Sequence, residues 1–421
     1  MENKQKKKVI VIGTGSRGNA YARIGQEIDL FEVVAVAEPI DARRNFVAKR
    51  HGLTEENLYK SWEPLLAKGK IADAAIIATM DRDHFAPTMA AIEAGYDILL
   101  EKPVSPSPDE CRAIEAAAKA KGVKVLICHV LRYTPFFRAM KKMINEGYIG
   151  DLINIEHTEC VGNVHQSHSF VRGNWGNSER SSFMLLQKSC HDMDILQWLV
   201  GKDCKRVQSF GSLSYFKREN APEGAPEFCI DGCPKADTCP YNAVNLYLKS
   251  DSTWFRTTAT LNFEPTDADV EKAIRTTNYG RCVFKCDNDV VDHQIVSLEF
   301  DGGIICNFTM SAFNTGGRYI RIMGTKGEII AEAAKPTFIY RNFETKKEEE
   351  LSIENQICND TITAGHGGGD TGIMYSFYDM LNGEVDAELS NIEISVKNHM
   401  IAFAAEKSRL EGRVVSLDEF N

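Results

Sequence analysis

A short polar motif that follows an apolar run could bind a hydroxyl group and move its proton. Residues 97–100 are mostly apolar and predict a buried strand, and Glu101, Lys102 and Pro103 follow it directly. In an open α/β sheet, ligands bind beyond the carboxyl ends of the strands. A lysine at that position can hold a substrate hydroxyl or shuttle its proton. Taken alone, the motif is also typical of a solvated Glu-Lys pair that ends a strand.

A glycine motif near the amino terminus could hold a dinucleotide. An apolar run leads into residues 13–18, which read Gly-Thr-Gly-Ser-Arg-Gly, and a helical pattern, a second apolar run and Glu38 follow. Gly13 permits a sharp turn, Gly15 lets the backbone approach a pyrophosphate, and Gly18 lets the helix pack closely on the strand. Strand, glycine turn, helix, strand and acid form the dinucleotide-binding fingerprint. A tight turn without a ligand is the structural alternative.

The position of Glu38 favours NAD as the dinucleotide. It lies twenty residues after Gly18, where a carboxylate can accept hydrogen bonds from ribose hydroxyls and repels a 2′-phosphate. Arg43 and Arg44 lie nearby and could accommodate such a phosphate, so NADP is the less favoured alternative.

Length and composition indicate a two-domain protein that binds neither nucleic acid nor membrane. The 421 residues exceed one ordinary core. The net charge of −10 disfavours nucleic acid as a partner. We find no apolar stretch long enough to span a bilayer and expect a cytoplasmic protein.

The elements that would position these motifs change in pattern after residue 128. Alternating strands and helices over residues 1–128 predict an α/β domain with a doubly wound parallel sheet of the Rossmann type. Residues 129–421 predict an α+β domain with a mostly antiparallel open sheet, because long strands with period-two alternation dominate it. Residues 301–303, Asp-Gly-Gly, predict a hairpin in that sheet. Residues 217–242 are rich in Pro, Gly and Cys and predict an inserted loop.

The combination resembles the Gfo/Idh/MocA family of NAD(P)-dependent sugar and polyol oxidoreductases. The fingerprint, a Glu-Lys-Pro motif about ninety residues later and an antiparallel domain occur in the family's order, and the resemblance covers essentially the whole chain. It includes a threonine at the third strand end and a histidine before the next helix. It implies that Lys102 contacts both substrate and cofactor. The cofactor residues that the fingerprint and the resemblance predict are Gly13, Thr14, Gly15, Ser16, Arg17, Gly18, Glu38, Thr79, His84, Glu101 and Lys102.

The family's Asp-x-x-x-His motif in the second domain is matched with one change. Residues 187–191 read Gln-Lys-Ser-Cys-His, so Gln187 replaces the family's aspartate. On a helix, His191 lies three residues from both Lys188 and Asp194, and the three could share a face. A histidine can remove a hydroxyl proton while hydride leaves the same carbon. The match therefore implies that His191 is catalytic together with the lysine of the Glu-Lys-Pro motif. The alternative is a buried histidine bonded to backbone.

Further polar residues are candidates for substrate contacts. They include histidine, arginine and tryptophan side chains. Aromatic rings stack on sugars and guanidinium groups bind carboxylates, so these side chains suit a carbohydrate-like small molecule. A polar loop or a flexible connector would have a similar composition. Together with the His191 motif, the predicted substrate residues are Arg132, His165, His168, Arg172, Trp175, Gln187, Lys188, Asp194, His366 and Asp370.

The cysteine-rich insert could hold a metal. Cys229, Cys233 and Cys239 lie in a stretch without a core of its own, where a metal can staple the chain. Cys282 or Cys286 would supply a fourth ligand and give a structural zinc or an iron–sulfur cluster. Reduced thiols or a loop disulfide are the alternatives.

The sequence predicts an NAD-dependent oxidoreductase that oxidises a secondary hydroxyl of a sugar, polyol or sugar derivative by hydride transfer. One alternative is a redox-neutral glycosidase of the same fold, in which bound NAD oxidises the sugar before elimination, hydration and reduction. Another is a non-catalytic nucleotide-binding sensor. The open sheet of the second domain predicts pairing of copies, as a homodimer or a homotetramer.

Overall fold

The computed structural model of the protein describes residues 5–356, 366–384 and 389–420. The strands are β1 (Lys7–Ile12), β2 (Phe31–Ala37), β3 (Leu58–Tyr59), β4 (Ala74–Ile77), β5 (Asp97–Leu100), β6 (Val125–Ile127), β7 (Leu152–Cys160), β8 (Cys204–Ser212), β9 (His293–Phe300), β10 (Ile305–Ser311), β11 (Gly317–Gly324), β12 (Gly327–Glu332), β13 (Thr337–Asn342), β14 (Lys347–Ser352) and β15 (Val415–Ser416). The helices are α1 (Ser16–Glu27), α2 (Asp41–His51), α3 (Trp62–Leu66), α4 (Phe85–Glu93), α5 (Pro108–Lys121), α6 (Pro135–Asn145), α7 (Asn163–Ser167), α8 (Met184–Gln187), α9 (Cys190–Val200), α10 (Thr253–Thr260), α11 (Asp267–Thr276), α12 (Ile353–Gln356), α13 (Gly369–Leu381) and α14 (Ile392–Glu411).

The first sheet is parallel throughout and has the order β3-β2-β1-β4-β5-β6. Its strands are almost continuously apolar because helices cover both faces, and Val9, Ile10 and Val11 in β1 are fully buried. The order reverses between β1 and β4, so the loops that follow these two strands diverge and leave a crevice. The predicted doubly wound parallel sheet is confirmed.

The second sheet has the order β14-β13-β12-β11-β7-β10-β9-β8-β15 and is mostly antiparallel. Strands β7 and β10 pair in parallel. Alternation along β9 buries one side of the sheet and exposes the other. The predicted hairpin is confirmed, since β9 and β10 pair antiparallel and both Gly302 and Gly303 have positive φ.

The carboxyl-terminal helix returns to the first sheet. Leu126 in β6 forms a bridge with Asn391, and the Ile127 N–H donates to the Ser390 carbonyl at 2.8 Å. Helix α14 then packs on α5, α9 and β8.

The division of the chain at residue 128 stays a prediction. No helix in the described ranges has the length and apolarity that crossing a bilayer requires.

The helix expected at His191 is present as α9, and every one of its residues is buried. Helices α10 and α11, which follow the cysteine-rich insert, were not predicted from the sequence. Strand β8 ends at Ser212, because Asp292 accepts the backbone N–H groups of Ser214 and Tyr215 at 3.0 and 2.8 Å and turns the chain away.

Candidate active site

The glycine turn between β1 and α1 is shaped by close backbone contacts. Gly13 has φ +85°, and a Cβ there would lie 2.5 Å from the Ala78 carbonyl oxygen. A Cβ on Gly18 would lie 2.0 Å from the Gly13 carbonyl oxygen. At Gly15 an added Cβ would meet only the Arg43 guanidinium, at 3.5 Å. The turn therefore leaves space beside Gly15 at the amino end of α1, which fits the pyrophosphate of a dinucleotide.

The acid at the end of β2 closes the other side of this crevice. Glu38 accepts hydrogen bonds from the Thr14 N–H at 2.8 Å and from the Ile40 N–H at 3.0 Å. The Thr14 hydroxyl donates to the same carboxylate oxygen as the Thr14 N–H, at 3.3 Å, so the oxygen that accepts from Ile40 keeps a further lone pair for a ribose hydroxyl. Arg44 is occupied, since its guanidinium donates to the Glu38 carbonyl oxygen at 2.7 Å and also bonds Asp41.

Arg17 and Ser16 begin α1, and Arg17 links the glycine turn to the Glu-Lys-Pro motif. Its Nε donates to Glu101 at 2.8 Å, and its Nη2 donates to Asp370 at 2.7 Å. The Tyr21 hydroxyl also donates to Glu101, at 2.7 Å. Burial opposes ionisation of Glu101, but the charges of Arg17 and Lys102 hold the pKa of this carboxyl below its usual range. The network fixes the backbone from which Lys102 projects.

The loops after β4 and β5 are bound to each other by His84. Its Nδ1 lies 2.7 Å from the Pro103 carbonyl oxygen, and its Nε2 lies 3.2 Å from the Thr79 carbonyl oxygen. The Thr79 hydroxyl donates to the Asp83 carbonyl at 2.9 Å. His84 is fully buried, so it positions the backbone of both loops at the edge of the crevice.

Lys102 connects the Glu-Lys-Pro motif to the turn before His191. Its Nζ donates to the Gln187 carbonyl oxygen at 2.6 Å, four residues before His191. Gln187 itself is buried, and its side-chain oxygen has no hydrogen-bond partner among the described atoms. Burial lowers the pKa of His165 to about 2, and the charges of Lys188 and Lys102 act in the same direction. The ammonium group of Lys102 therefore lies between the Glu101 carboxylate and the neutral Gln187 carbonyl.

His191 lies in the first turn of α9 and borders a row of histidine rings. The rings of His129 and His191 are 5.7 Å apart and meet edge to face, and the His399 ring lies 5.7 Å from the His129 ring. His399 accepts the Val104 N–H at 2.9 Å and therefore donates from Nδ1 to the Ser395 carbonyl, 2.7 Å away. Burial lowers the pKa of His399 to about 3. No motif pointed to this neighbour, a histidine inside the long helix α14.

A cavity of about 530 Å³ opens between β7, α7 and β11. Its lining includes His165, Lys188 and Arg318, and its volume is in the range of small-molecule sites. Lys188 pairs with Glu159 at 3.2 Å, and Arg318 pairs with the same carboxylate at 2.6 Å. Arg318 also pairs with the buried Asp192 at 2.9 Å, so the two cations meet two carboxylates. The wall is thus polar and close to charge balance, which suits a neutral polyhydroxy compound.

Arg132 and Asp194 were both predicted to contact substrate, but the structure pairs them with each other. Two hydrogen bonds of 2.6 and 2.7 Å join them, and their side chains are 2% and 0% exposed. Asn398 donates to the same carboxylate. Both groups are buried in this pair, which supports α9, and their contact with substrate stays a prediction.

Three other predicted substrate residues lie outside the cavity lining. His168 is buried in an aromatic cluster and bonds the Tyr247 hydroxyl at 2.9 Å. Arg172 is 2% exposed and donates to the carbonyl oxygens of Arg281 and Tyr241 at 2.8 and 2.7 Å, so it ties the insert to the second domain. The indole of Trp175 donates to Asp81 at 3.3 Å and joins the two domains.

The glycine-rich segment before α13 contributes to the nucleotide side of the crevice. Asp370 is buried and bonds Arg17 with both carboxylate oxygens, at 2.7 and 3.1 Å. The side chain of His366 lies outside the described residues. The redox-neutral glycosidase alternative stays a prediction.

The cysteines of the insert lie in one region of the second domain. The Cys229 sulfur lies 3.6 Å from the Arg172 guanidinium, and Cys233, Cys239 and Cys286 pack against a cluster that contains Cys282. Within the described ranges, no group of three or more His, Cys, Asp or Glu side chains is arranged to hold a metal ion. The zinc or iron–sulfur site therefore stays a prediction that this arrangement does not support.

The parallel sheet, its glycine turn and the antiparallel domain that closes its crevice define a two-domain oxidoreductase with a Rossmann fold. Residues 7–129 match the family described as oxidoreductase family, NAD-binding Rossmann fold, and residues 141–415 match its C-terminal alpha/beta domain. The chain belongs to this family, Gfo/Idh/MocA, as its sequence motifs indicated.

Relatives and solved structures agree with this assignment. "Putative oxidoreductase YteT" of Bacillus subtilis is 28% identical over 80% of this chain and 80% of its own length. Inositol 2-dehydrogenase 4 of Saccharopolyspora erythraea is 29% identical over 52% of this chain and 60% of its own length. The structure of a levoglucosan dehydrogenase in complex with NADH has a TM-score of 0.72 at 17% identity. The match covers 98% of this chain and 99% of the dehydrogenase. An oxidoreductase from Agrobacterium radiobacter in complex with NAD⁺, L-tartaric acid and magnesium has a TM-score of 0.71 at 13% identity, over 99% of this chain and 100% of its own. At these identities the structures share the fold.

Proposed function

We propose that the protein uses NAD to oxidise a secondary hydroxyl of a sugar, polyol or sugar derivative to a carbonyl. The observation that carries the proposal is the hydrogen bond of 2.6 Å from Lys102 to the Gln187 carbonyl, which joins the crevice of the first sheet to the turn before His191. The nicotinamide would accept the hydride. The polar cavity beside Lys188 supplies room for the remaining hydroxyls.

Lys102 and His191 would divide the proton chemistry between them. The ammonium of Lys102 binds the reacting oxygen and stabilises the negative charge that develops on it. His191 takes the hydroxyl proton as the carbon loses its hydride, and returns it when the reaction runs in reverse. The buried Arg132–Asp194 pair holds α9, and thereby His191, in place.

Glu38 supports NAD rather than NADP as the cofactor. The carboxylate is held by the backbone N–H groups of Thr14 and Ile40 at the end of β2. A 2′-phosphate at that position would meet a fixed negative charge. Arg44, which could have balanced it, is already bonded to the Glu38 carbonyl and to Asp41.

The substrate class is supported by the cavity and by the relatives. A near-neutral wall of carboxylate, ammonium and imidazole groups offers donors and acceptors for several hydroxyls. Relatives named inositol 2-dehydrogenase and a fold neighbour named levoglucosan dehydrogenase point to cyclic polyols and anhydrosugars. We therefore expect a cyclic compound with several hydroxyl groups.

The proposal is tested with a panel of cyclic polyols and sugars, each deuterated at a secondary carbinol carbon. Incubation with NAD⁺ should give a ketone two mass units lighter for the unlabelled compound, and the deuterium should appear on the reduced nicotinamide. Deuterium that stays on the carbon skeleton, or exchanges with water, would contradict hydride transfer.

We further propose that copies of the chain pair through the open face of the second sheet. Phe210 and Ile295 lie opposite each other on that face, and Ile305 and Tyr319 share it. These four side chains are between 45% and 64% exposed. Such an apolar patch on neighbouring strands is typical of a protein interface.

A further inference from the structure

A half-exposed tryptophan lies beside the polar cavity of the second domain. Trp254, in α10, meets the His165 ring edge to face, with ring centroids 5.1 Å apart. His165 belongs to the lining of the cavity, together with Lys188 and Arg318. Trp254 is 41% exposed. An indole ring is therefore available next to polar groups that could hold hydroxyls.

Neighbouring rings hold this indole in place. The His168 ring lies 4.6 Å from the Trp254 ring, and the Phe255 ring lies 4.9 Å from it. His168 is fixed in turn, because it is buried and bonds the Tyr247 hydroxyl at 2.9 Å. A ligand that stacks on a ring already held in one orientation loses less free energy to the ordering of that side chain.

His165 is a common neighbour of Trp254 and the proposed catalytic lysine. Burial lowers the pKa of His165 to about 2, and the charges of Lys188 and Lys102 act in the same direction. Lys102 is thus near enough for its charge to affect this imidazole. The neutral ring can donate one hydrogen bond to a hydroxyl and accept another. A ligand that is oxidised at Lys102 and extends past His165 would reach the indole of Trp254.

A pair of exposed aromatic side chains lies next to another segment of the cavity edge. Phe313 and Tyr215 are 47% and 40% exposed, and their ring centroids are 5.7 Å apart. Asn314, the next residue, accepts the backbone N–H groups of Gly162 and Gly316 at 2.8 and 3.0 Å. Both glycines line the cavity. Exposed rings therefore adjoin the polar lining on two separate segments of the chain.

We propose that the substrate site extends from the cavity to Trp254, and that the indole binds a second, glycosidically linked sugar ring. The substrate would then be a disaccharide or a longer glycoside. The inference rests on the proposed function and narrows its substrate class. The reacting ring occupies the cavity, where His165 and Lys188 contact its hydroxyls, and the C–H face of the second ring stacks on the indole. The cavity volume of about 530 Å³ lies within the range of sites for drug-sized ligands, which are larger than one sugar ring.

The oxidation leaves the glycosidic bond intact. One secondary alcohol of the reacting ring and NAD⁺ become a ketone, NADH and a proton, and the second ring takes no part in the chemistry. The second ring contributes binding free energy to the ground state and the transition state alike, so its loss raises the KM of the disaccharide more than it lowers kcat. Removing one stacking contact is expected to raise that KM about fivefold to tenfold.

Two variants of the tryptophan and one control probe the contact. Trp254→Ala removes the stacking surface. Trp254→Phe keeps a smaller ring and should keep part of the effect, so it tests the inference even where the alanine variant folds poorly. Phe343→Ala is a matched control, because this ring is 50% exposed on the hairpin between β13 and β14 and is not part of the cavity lining.

Steady-state kinetics of the full-length protein test the proposal. Cellobiose, maltose and lactose are compared with glucose and galactose at saturating NAD⁺, and the ratio of kcat/KM for disaccharide over monosaccharide is measured. We expect the wild type and Phe343→Ala to prefer at least one disaccharide about fivefold to tenfold, and Trp254→Ala to lose that preference through KM. A wild type that prefers the monosaccharides, or an unchanged preference in Trp254→Ala, would overturn the inference.

Calorimetric binding separates this inference from the proposed function. Wild type and Trp254→Ala, each loaded with NADH so that no oxidation occurs, are titrated with the same five sugars. Disaccharide binding that weakens about fivefold to tenfold in Trp254→Ala supports the extended site; where no sugar is oxidised, only the proposed function then fails. If monosaccharides are oxidised but disaccharides bind no more tightly than they do, the extended site fails and the function stands. Absence of binding by all five sugars would also overturn the inference.

Discussion

Replacing Arg132 with methionine is expected to destabilise the fold strongly. Arg132 makes hydrogen bonds of 2.6 and 2.7 Å to Asp194, and the two side chains are 2% and 0% exposed. The substitution leaves the Asp194 carboxylate buried with Asn398 as its remaining side-chain donor. Removing one partner of a buried ion pair costs about 3–5 kcal/mol, because the other charge stays desolvated. We expect the free energy of unfolding to fall by that amount.

Urea denaturation followed by circular dichroism measures this loss. Arg206→Met is the matched control, since Arg206 pairs with Glu299 but is 62% exposed, and we expect a change below about 1 kcal/mol. Adding Asp194→Leu to Arg132→Met should recover part of the loss, because no unpaired charge remains buried. If Arg132→Met changes the free energy of unfolding by less than about 1 kcal/mol and instead weakens substrate binding, Arg132 contacts the substrate and the reasoning is refuted.

Three further predictions follow from the cofactor crevice, the buried histidines and the open sheet. Glu38→Ser should raise the affinity for NADPH relative to NADH at least about tenfold in fluorescence titrations, because the repelling carboxylate is removed; an unchanged ratio would contradict the role of Glu38. Burial holds the pKa of His168 at about 3 in the folded protein, whereas its ordinary value is about 6.5. As the pH falls below about 6.5, the unfolded chain therefore binds the proton first, and the stability of the fold decreases. His168→Phe should therefore remove about 2 kcal/mol of the stability lost between about pH 6.5 and pH 5 in denaturation curves; parallel curves would show that His168 is protonated when folded. The double variant Phe210→Lys and Ile295→Lys should shift the protein to a monomer in sedimentation experiments, because two charges would enter the proposed interface; an unchanged oligomer would place the interface elsewhere.

The sequence was most informative where local geometry demands one residue type. Gly13 and Gly18 are required because a Cβ would lie 2.5 and 2.0 Å from backbone oxygens, and the strand-turn-helix pattern around them is local. The Asp-Gly-Gly hairpin was predicted for the same reason, since Gly302 and Gly303 both have positive φ. Such features depend on few neighbours in sequence, so a motif reveals them.

The sequence was least informative where the partner of a polar residue is distant along the chain. Arg172 was predicted as a ligand for substrate, but its partners Tyr241 and Arg281 lie 69 and 109 residues away. His399 joins the histidine row from α14, where a buried helix position carries no pattern of its own. Residue type alone does not show whether a buried cation faces a ligand or a backbone carbonyl, because both satisfy the same donors.

The most direct measurement is single-turnover oxidation in protein loaded with NAD⁺. Wild type, Lys102→Met and His191→Phe are each mixed with a cyclic polyol that the wild type accepts, and reduced nicotinamide is followed by its near-ultraviolet absorbance. We predict a rate about 10²–10⁴-fold lower in each variant, with NADH affinity unchanged in a parallel titration. Wild-type rates in both variants would contradict the central claim that Lys102 and His191 carry the proton chemistry.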